Sequence, residues 1–449
     1  MGIGKSAQAI AACDIIGAVD VLVICRAVAR ENWRNEFEKF SQTKRSFNII
    51  FSGSDSVGVL RGVTVCSYET VHAVLSDRDR VFDCVIIDES HYVKEPNAKR
   101  TRDVLGKTGA IHRGKKTFLL TGTPTPNHAG ELWTTLYSFG RTRLNYDQFV
   151  ERYCRVRDTS YGRQILGTDV SQDKIAELRD MLAPISLRRT KEDVNLELPP
   201  ITYGDIVVKP GKVDLLMCHS FRKWVVPKDC TADLLKILEQ ELGVINGIVN
   251  GGFTDLAMKA LEANAKSIMT LRRYNSMQKV EPVVEMIAEE LDNGAYKKIV
   301  IFAIHRDTIV TLQERLGKKY GAVLVFGGSK PSRIADRIAA FQDPNSKCRV
   351  FIAQIQTAGT SLTLTAADQV LFVDQDFVPG NNSQAAARCH RIGQTKPVTV
   401  RFVALADSID QHIAGILRRK TSEIGVLMDG VKGKKKSTTR QTKSINELL

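Results

Sequence analysis

The stretch Val81-Phe82-Asp83-Cys84-Val85-Ile86-Ile87-Asp88-Glu89-Ser90-His91 decides how the fold of this chain is interpreted. Residues 85–87 form an unbroken apolar run, which favours a strand buried on both faces of a parallel sheet. Asp88 and Glu89 follow at its carboxyl end, where open α/β sheets bind ligands. A Mg²⁺-nucleotide would explain both carboxylates, with Asp88 holding the metal ion and Glu89 positioning or deprotonating an attacking water. The alternative is a solvated acidic turn, which this stretch alone does not exclude.

The composition of the 449-residue chain is that of an ordinary globular protein, with 43% hydrophobic and 25% charged residues. No apolar run reaches the roughly 18 residues of a membrane span, and the N-terminus lacks the pattern of a signal peptide. The nine cysteines contain no Cys-x-x-Cys pair, which indicates reduced thiols inside a cell. The eight histidines show no metal-ligand spacing, so we expect no metal site beyond Mg²⁺. The net charge of +14 favours a polyanionic partner, above all nucleic acid.

The N-terminal residues Met1-Gly2-Ile3-Gly4-Lys5-Ser6 match the end of a Walker A loop. In such a loop backbone N–H groups cradle phosphates, Lys5 reaches the β- and γ-phosphates and Ser6 ligates Mg²⁺. Residues 7–12 are strong helix formers, and a helix N-terminus favours anions. The full pattern begins about five residues before Gly4. We therefore expect an incomplete loop and weak ATP binding, and a flexible N-terminus is the alternative.

Strand and helix patterns alternate through the first part of the chain. Apolar runs at 19–25, 62–66 and 117–120 predict three further strands, and residues 26–40 predict a helix whose Trp33 belongs to the core. This alternation predicts a doubly wound α/β domain. Polar signatures follow two of the strands, namely Ser67-Tyr68-Glu69 and Thr121-Gly122-Thr123-Pro124.

The strand pattern stops between residues 127 and 183, where aromatic and charged residues recur at helical spacing. We expect a helical insertion at about 128–183, which completes a first domain at 1–183. The pairs Arg188-Arg189 and Pro199-Pro200 indicate a hinge over 184–211. Residues 212–279 again show a helical pattern.

A second α/β pattern covers residues 280–430. Its predicted strands are 297–302, 322–326, 349–353 and 369–374, and a closing helix is predicted at 408–428. Ala303-Ile304-His305 and Gly327-Gly328-Ser329 follow the first two of these strands. Residues 431–449 are basic and rich in Ser and Thr, which predicts a disordered tail. That tail could bind DNA, act as a localisation signal or keep the chain in solution.

The motifs of this chain resemble, in the same order, those of the Swi/Snf-type ATPases of helicase superfamily 2. The His-Arg-Ile-Gly-Gln run at 390–394 is the most specific, and residues 187–191 before Leu198-Pro199 match the family's linker between lobes. The resemblance extends to about Gly430, and residues 363–365 are most similar to the HepA-related, annealing-helicase subgroup and its bacterial and phage relatives. The other motifs are Met1-Gly2-Ile3-Gly4-Lys5-Ser6, Asp88-Glu89-Ser90-His91, Leu120-Thr121-Gly122-Thr123-Pro124, Thr357-Ala358-Gly359-Thr360-Ser361-Leu362-Thr363-Leu364 and Gln384-Ala385-Ala386-Ala387-Arg388-Cys389.

The resemblance implies two RecA-like α/β lobes, with ATP and Mg²⁺ between them and helical insertions at the hinge. Such proteins are DNA-dependent ATPases that translocate on double-stranded DNA, often without separating its strands. We therefore expect a monomer whose partner is double-stranded DNA, with no membrane contact. We also expect it inside the cell, in the cytoplasm of a bacterial or phage-infected cell rather than in a nucleus.

The resemblance also implies a role for individual residues. Thr121 and Thr123 couple the nucleotide state to the position of the lobes. The implied nucleotide-binding residues are Gly2, Gly4, Lys5, Ser6, Asp88, Thr121, Thr123 and Gly359, of which Ser6 and Asp88 also hold Mg²⁺. The implied catalytic residues are Glu89, Gln384, Arg388 and Arg391, and the spacing of the last three predicts one helical face towards the γ-phosphate. The implied DNA contacts are Ser67, Tyr68, His305, Gly328, Ser329, Thr357 and Ser361.

The sequence departs from the family in several places. Arg26 stands where the family usually has proline, Ala386-Ala387 replaces an acidic pair, and Phe377-Val378-Pro379 replaces Trp-Asn-Pro. The family's upstream adenine-recognition element would fall before Met1, and we expect it to be missing. Two alternatives to an ATP-driven motor therefore stay open: a DNA-binding module with a defective nucleotide site, and a DNA-targeting subunit of a larger nuclease or restriction assembly. No cluster of carboxylates and lysine outside the lobes suggests a nuclease within this chain.

Overall fold

The structure is a computed structural model that describes residues 3–55, 61–159, 162–189, 193, 198–209, 272–273, 275–329, 331–359, 362–406 and 408–429. Two residues assigned to the site from sequence, Gly2 and Ser361, lie outside the described residues. Most of the predicted insertion at 212–279 and the predicted tail at 431–449 also lie outside them.

The first lobe contains a sheet of five parallel strands, β1 (Val21–Cys25), β2 (Phe47–Ile49), β3 (Val63–Ser67), β4 (Phe82–Asp88) and β5 (Gly114–Leu120). Their order in the sheet is β2-β3-β1-β4-β5. Four helices cover it, α1 (Lys5–Ile15), α2 (Arg30–Phe40), α3 (Val71–Leu75) and α4 (Lys99–Leu105). Helices α1 and α2 pack on one face, while α3 and α4 pack on the other. The predicted doubly wound α/β arrangement is confirmed, because apolar strands such as β1 are covered from both sides.

The insertion in the first lobe contains helices α5 (Trp133–Ser138), α6 (Tyr146–Tyr153) and α7 (Gln172–Leu182). It also contains an antiparallel hairpin of strands β6 (Cys154–Thr159) and β7 (Gly162–Thr168), which the predicted helical insertion at about 128–183 did not include. The hairpin escaped the pattern because charged residues occupy half of β6 and a register irregularity between Arg155 and Val156 interrupts the alternation.

The second lobe contains a sheet of six parallel strands, β8 (Ile201–Val208), β9 (Ile299–Ala303), β10 (Ala322–Val325), β11 (Val350–Gln354), β12 (Gln369–Phe372) and β13 (Val398–Leu405). Their order is β10-β11-β9-β12-β13-β8. The helices of this lobe are α8 (Val280–Asp292), α9 (Arg306–Tyr320), α10 (Pro331–Gln342), α11 (Pro379–Ala386) and α12 (Ile409–Asp429). Helices α8 and α9 cover one face of the sheet, and α10 and α11 cover the other.

Strand β8 corrects the predicted hinge at 184–211. Its residues 201–208 pair in parallel with the whole of β13, so this segment is an edge strand of the second sheet rather than a linker. As an edge strand, β8 has a neighbouring strand on one side only. Its side chains Tyr203 and Val207 are exposed, so the segment contains no continuous apolar run that would have predicted a strand. We place the start of the second lobe's sheet at Ile201 and keep the other predicted boundaries as proposals.

Helix α12 confirms the predicted closing helix and also joins the two lobes. Leu427 lies in the same apolar cluster as α5, α6 and α7 of the insertion. The carboxylate of Glu423 pairs with Arg155 and accepts a hydrogen bond from the backbone N–H of Thr168 at 3.1 Å. The last helix of the second lobe is therefore fastened to the insertion of the first. Within the described part of the chain, every helix is too short or too polar to cross a lipid bilayer.

Candidate functional site

The N-terminus of α1 has the backbone shape that a phosphate site needs. Gly4 precedes the helix with φ of 75° and ψ of 37°, a left-handed conformation that glycine adopts without strain. No heavy atom lies within 4 Å of the position that a Cβ on Gly4 would occupy, so the space before the helix is open. Lys5 and Ser6 begin the 11-residue helix, whose first N–H groups face this space. The described end of the loop therefore fits a bound phosphate.

Asp88 ends β4, and its side chain is held by an aromatic residue of α2. The indole N–H of Trp33 donates to Oδ2 of Asp88 at 3.0 Å, and the Tyr68 hydroxyl donates to the Asp88 carbonyl at 2.6 Å. Burial, with the neighbouring Glu89, raises the pKa of Asp88 to about 6, whereas Trp33 and Lys5 lower it. A carboxylate near Lys5 at the end of a central strand is suited to a divalent cation, whose charge would favour ionisation.

Glu89 adopts a left-handed backbone conformation, with φ of 53° and ψ of 51°. It is the non-glycine residue with a positive φ in the described part of the chain, and such a conformation costs about 1–2 kcal/mol. The turn leaves its carboxylate between two side chains. Oε1 accepts a hydrogen bond from Nε2 of Gln384 at 2.7 Å, and Oε2 lies 3.3 Å from Nδ1 of His91. Because Gln384 belongs to the second lobe, the two lobes meet at this carboxylate.

His91 connects the Glu89 carboxylate to the end of β5. Its Nδ1 lies 3.2 Å from Oγ1 of Thr121, which also accepts from the backbone N–H of Thr123 at 3.0 Å. Burial, reinforced by the nearby Lys94, lowers the pKa of His91 to about 4, so the imidazole is neutral at pH 7. The chain of contacts runs from the carboxylate, through a neutral ring, to the Thr121–Thr123 loop.

The Thr121–Thr123 loop touches the second lobe at Gly380 of α11. A Cβ on Gly380 would lie 2.7 Å from Cγ2 of Thr123, so only glycine allows this approach of the lobes. Thr123 was predicted to couple the nucleotide state to the position of the lobes. Its contact with the second lobe is compatible with that role, which stays a proposal.

Gln384, Arg388 and Arg391 do not share one helical face, so that prediction is wrong. Helix α11 ends at Ala386, before both arginines. Beyond Ala386 the backbone tightens into turns, in which the Arg388 N–H donates to the Ala385 carbonyl and the Cys389 N–H donates to the Ala386 carbonyl. The Arg388 carbonyl accepts from the backbone N–H of Leu364 at 3.0 Å, and the Cys389 carbonyl accepts from Nε2 of Gln394 at 3.1 Å.

The arginines after α11 still lie at the cleft between the lobes. Burial, together with the neighbouring Arg391, lowers the pKa of Arg388 to about 10, while Glu89 and Asp88 raise it. Arg391 donates to the Leu362 carbonyl at 3.2 Å. Burial raises the pKa of Glu36 on α2, and the positive charges of Lys39 and Arg391 lower it. Arg388 therefore feels the charge of the two carboxylates, and Arg391 acts on Glu36 of α2.

A cavity of about 50 Å³ lies between the lobes beside Glu89 and Gln384. Arg26, which replaces the family's proline, lines it together with His91, Tyr92, Ile355, Gln356 and Asn381. The guanidinium carbons of Arg26 and Arg100 lie 5.3 and 5.9 Å from the centroid of the Tyr92 ring. Within the described residues neither guanidinium pairs with a carboxylate, so the N–H groups of both can donate to an anionic ligand.

Ser67 and Tyr68 are not placed to contact DNA, which corrects the prediction made from their position after a strand. Both side chains are buried, with exposures of 1% and 2%. Ser67 bonds to Thr70 within its own turn, and the Tyr68 ring stacks under Tyr92 at 5.7 Å. Their role in this structure is to support Tyr92 and the end of β4.

The predicted DNA contacts of the second lobe lie together at one edge of its sheet. His305 begins α9 after β9, Gly328 and Ser329 form the turn after β10, and Thr357 follows β11. These strands are neighbours in the sheet, so their carboxyl ends bring the residues side by side. Gly328 is exposed at φ of 87°, whereas Nε2 of His305 is buried and lacks a hydrogen-bond partner among the described residues. Gly359 ends the 3₁₀ turn Ile355–Gly359.

Sequence reasoning missed three contributors to the site. Trp33 was assigned to the core, and it is buried there, but its N–H also holds Asp88. His91 was noted within the motif without a role. Arg26 was noted as a departure, and only the structure places it beside Glu89. An arginine directly after a buried strand was the available signal, because a charge at that end of a parallel sheet faces the ligand edge.

Comparison with known proteins agrees with this geometry. The sequence profile of the SNF2-related domain matches residues 1–249, and that of the helicase conserved C-terminal domain matches residues 278–393. The chain is 27% identical over 447 residues to the DNA annealing helicase and endonuclease ZRANB3 of Bos taurus. It is 26% identical over 440 residues to the SWI/SNF-related matrix-associated actin-dependent regulator of chromatin subfamily A-like protein 1 of Drosophila melanogaster.

These matches include 97% and 96% of this chain, but the chain spans only 39% and 53% of the two relatives. Both are animal proteins, so they give no support to the expected bacterial cytoplasm over a nucleus. Among solved structures, the Sulfolobus solfataricus SWI2/SNF2 ATPase core in complex with dsDNA shares 21% identity at a TM-score of 0.39. That match covers 96% of this chain and 87% of the solved one. On the profile match to more than half of its residues, the chain belongs to the SNF2-related family of helicase-like ATPases.

Proposed function

We propose that this protein is a DNA-dependent ATPase that couples ATP hydrolysis to translocation on, or remodelling of, double-stranded DNA. The hydrogen bond from Gln384 to Glu89 carries the proposal, because it completes a catalytic carboxylate of one lobe with a side chain of the other. Such a site changes when the lobes move, which is what a motor requires. The relatives described above as a DNA annealing helicase and a regulator of chromatin support the choice of DNA as the partner.

The nucleotide would occupy the cleft between the N-terminus of α1 and the residues after α11. The first N–H groups of α1 and the ammonium of Lys5 would hold its phosphates, and Ser6 and Asp88 would hold Mg²⁺. The cation held by these residues would supply positive charge against the negative charge that develops on the phosphates. Ser6 and Asp88 would share the cation with phosphate oxygens and water, because Mg²⁺ is commonly held by only one or two carboxylates of the protein.

Glu89 is the base that would orient and deprotonate the attacking water. Gln384 donates one amide N–H to Oε1 of Glu89 and so fixes the direction of the carboxylate. Arg388 places a guanidinium near Glu89 and Asp88, where it would meet the charge spread over the γ-phosphate oxygens. Arg391 would contribute a second positive charge from the same segment.

DNA would lie across the cleft, against both lobes. In the first lobe Arg26 and Arg100 present guanidinium groups beside Tyr92, and phosphate accepts the paired N–H groups of arginine. In the second lobe Gly328, Ser329 and Thr357 would meet the backbone of the duplex. DNA held by both lobes would favour closure and assemble the catalytic site, which explains stimulation of hydrolysis by DNA.

An ATPase assay with duplex DNA, single-stranded DNA and no DNA tests this proposal. We expect duplex DNA to stimulate turnover most, and the half-saturating DNA concentration to rise steeply with salt because phosphate contacts supply the affinity. Equal turnover in all three conditions would refute the proposal. Duplex binding without any hydrolysis would favour the DNA-binding module with a defective nucleotide site.

A further inference from the structure

Gln354 is the last residue of β11. It lies at the carboxyl ends of the strands of the second sheet, where the loops after β9, β10 and β11 begin. Its Nε2 donates to the Ile304 carbonyl at 3.0 Å, and its Oε1 accepts from the Gly327 N–H at 3.1 Å. Its own carbonyl accepts from Oγ1 of Thr357 at 2.6 Å. One residue therefore bonds to the loops after β9 and β10 and to its own 3₁₀ turn.

The sheet order explains how one side chain reaches both neighbouring loops. Strand β11 lies between β10 and β9, and all three pair in parallel. Their carboxyl ends therefore share one edge, with Gln354 in the middle of it. The amide orientation is fixed by its partners, because a flipped amide would place NH₂ against the Gly327 N–H and oxygen against the Ile304 carbonyl.

Each loop that Gln354 joins also has a bond of its own, from the Ile304 N–H to Asp374 and from the Ser329 N–H to the Phe326 carbonyl, but among the bonds shown here Gln354 is the residue that connects the two loops to each other. Gly327 and Gly328 form an exposed turn, and glycine loses much conformational freedom when it becomes ordered. A loop already held in its binding conformation loses less entropy when it binds a ligand. A carboxylate in place of the amide would lack the donor for Ile304, and asparagine would be one methylene too short to span both loops.

We propose that Gln354 is a positioning residue that holds the loops at 304–305, 327–329 and 357 as one surface for the phosphate backbone of duplex DNA. This inference rests on the proposed function, since it takes DNA as the ligand of these loops. Gln354 itself is not a catalytic residue, and its loss leaves the contacts at Glu89 in place.

Binding of a fluorescent duplex without nucleotide, measured by anisotropy, tests the inference directly. We expect Gln354→Leu, which loses both hydrogen bonds, to weaken duplex binding about tenfold, and Gln354→Glu to weaken it as well, since its carboxylate still accepts from Gly327 but has no donor for the Ile304 carbonyl and repels it. Turnover without DNA, and turnover at saturating DNA, should stay within about twofold of wild type. The half-saturating DNA concentration should rise in step with the dissociation constant.

Gln342→Leu is the matched control. Gln342 also makes two hydrogen bonds, to Thr365 at 3.2 Å and to the Ala366 N–H at 2.8 Å, but these lie before the start of β12, at the opposite end of the strands. Its loss should leave duplex binding unchanged. Duplex binding by Gln354→Leu equal to wild type, or an equal loss in both variants together with lower thermal stability, would overturn the inference.

Failure of the proposed function gives a different result. A wild-type protein that binds duplex without stimulated hydrolysis contradicts the motor, while weaker binding by Gln354→Leu would still support the positioning role. A wild-type protein that does not bind duplex DNA overturns both.

Discussion

The amide of Gln384 lies 2.7 Å from the carboxylate of Glu89, although 295 positions separate the two residues in the chain. This hydrogen bond links the lobe that carries the Asp88-Glu89 pair with the lobe that carries the arginines. We expect Gln384→Ala to lower DNA-stimulated turnover at least tenfold, because the carboxylate loses the donor that orients it. Measurement of the turnover number at saturating ATP and duplex DNA checks this.

Glu89→Gln is the companion to that experiment. It removes the base but keeps a side chain of the same size beside Gln384, so turnover should fall about a hundredfold or more while duplex binding stays within about twofold. Wild-type turnover in either variant contradicts the assignment of Glu89 as the base.

The two arginines after α11 should differ in their effect. We expect Arg388→Ala to reduce DNA-stimulated turnover by about 10³-fold or more, since an arginine at the transferring phosphate contributes roughly 10³–10⁵ in rate. Arg391→Ala should reduce it at least about tenfold, because Arg391 lies towards α2 and Leu362. Single-turnover kinetics and duplex binding should be measured on both. Loss of DNA binding in step with activity would make these residues DNA contacts instead.

Gly380 controls how closely the lobes approach. A Cβ at this position would lie 2.7 Å from Cγ2 of Thr123, so Gly380→Ala should hold the lobes apart and lower DNA-stimulated turnover about fivefold or more. The control is Gly415→Ala on α12, where no heavy atom lies within 4 Å of the added Cβ. That variant should keep wild-type activity and gain about 0.5–1 kcal/mol of stability from helix propensity. Equal activity of both variants would show that the contact does not limit closure.

His91 makes the stability of the first lobe depend on pH. Its pKa is lowered from 6.5 to about 4 in the fold, so the unfolded chain binds more protons between these values. The stabilisation is complete above pH 6.5 and is lost as the pH falls towards 4. The groups that act on the ring are Lys94, Glu131, Arg26 and Lys5, with Glu89 at 3.3 Å.

His91→Gln removes this titration but keeps a neutral donor and acceptor. On going from pH 7.5 to 5, wild type should lose about 2 kcal/mol more of its unfolding free energy than His91→Gln does. Urea unfolding of both proteins at the two pH values gives this difference. Parallel loss of stability in the two proteins would contradict a neutral buried His91.

Arg26 and Arg100 should account for part of the salt dependence of DNA binding. Each phosphate contact contributes about 0.9 to the slope of log affinity against log salt, so the Arg26→Ala, Arg100→Ala double variant should lower that slope by about 2. Arg163→Ala is a suitable control, because this exposed residue pairs with Asp158 on the hairpin of the insertion. An unchanged slope in the double variant would place the duplex away from Tyr92.

The sequence predicted those features whose cause is local. An unbroken apolar run such as 21–25 predicts a buried strand, because both of its faces must be covered, and the structure has β1 there. The Asp88-Glu89 pair was expected at the carboxyl end of a strand, and it is found there. Helix α1 after Gly4 followed from helix-forming residues behind a glycine turn.

Features that depend on distant partners could not be predicted from local pattern. Strand β8 exists because β13, nearly 200 residues later, offers an edge to pair with, and its own exposed side chains conceal it. Helix α11 gives way to tighter turns after Ala386, and the Arg388 carbonyl bonds instead to the backbone N–H of Leu364, far away in the sequence. Ser67 ends β3 and Tyr68 follows it, yet both are buried, Ser67 beside Thr70 and Tyr68 under the ring of Tyr92.

The sequence by itself therefore determined the local features of this protein, namely two parallel sheets, a carboxylate pair at a strand end and a helix at residues 5–15. Only the tertiary structure decided how these parts meet. It sets Gln384 against Glu89 and joins three loops through Gln354. The physical reason is that residue type and periodicity act over a few positions, whereas hydrogen bonds between lobes depend on the packing of whole sheets and helices.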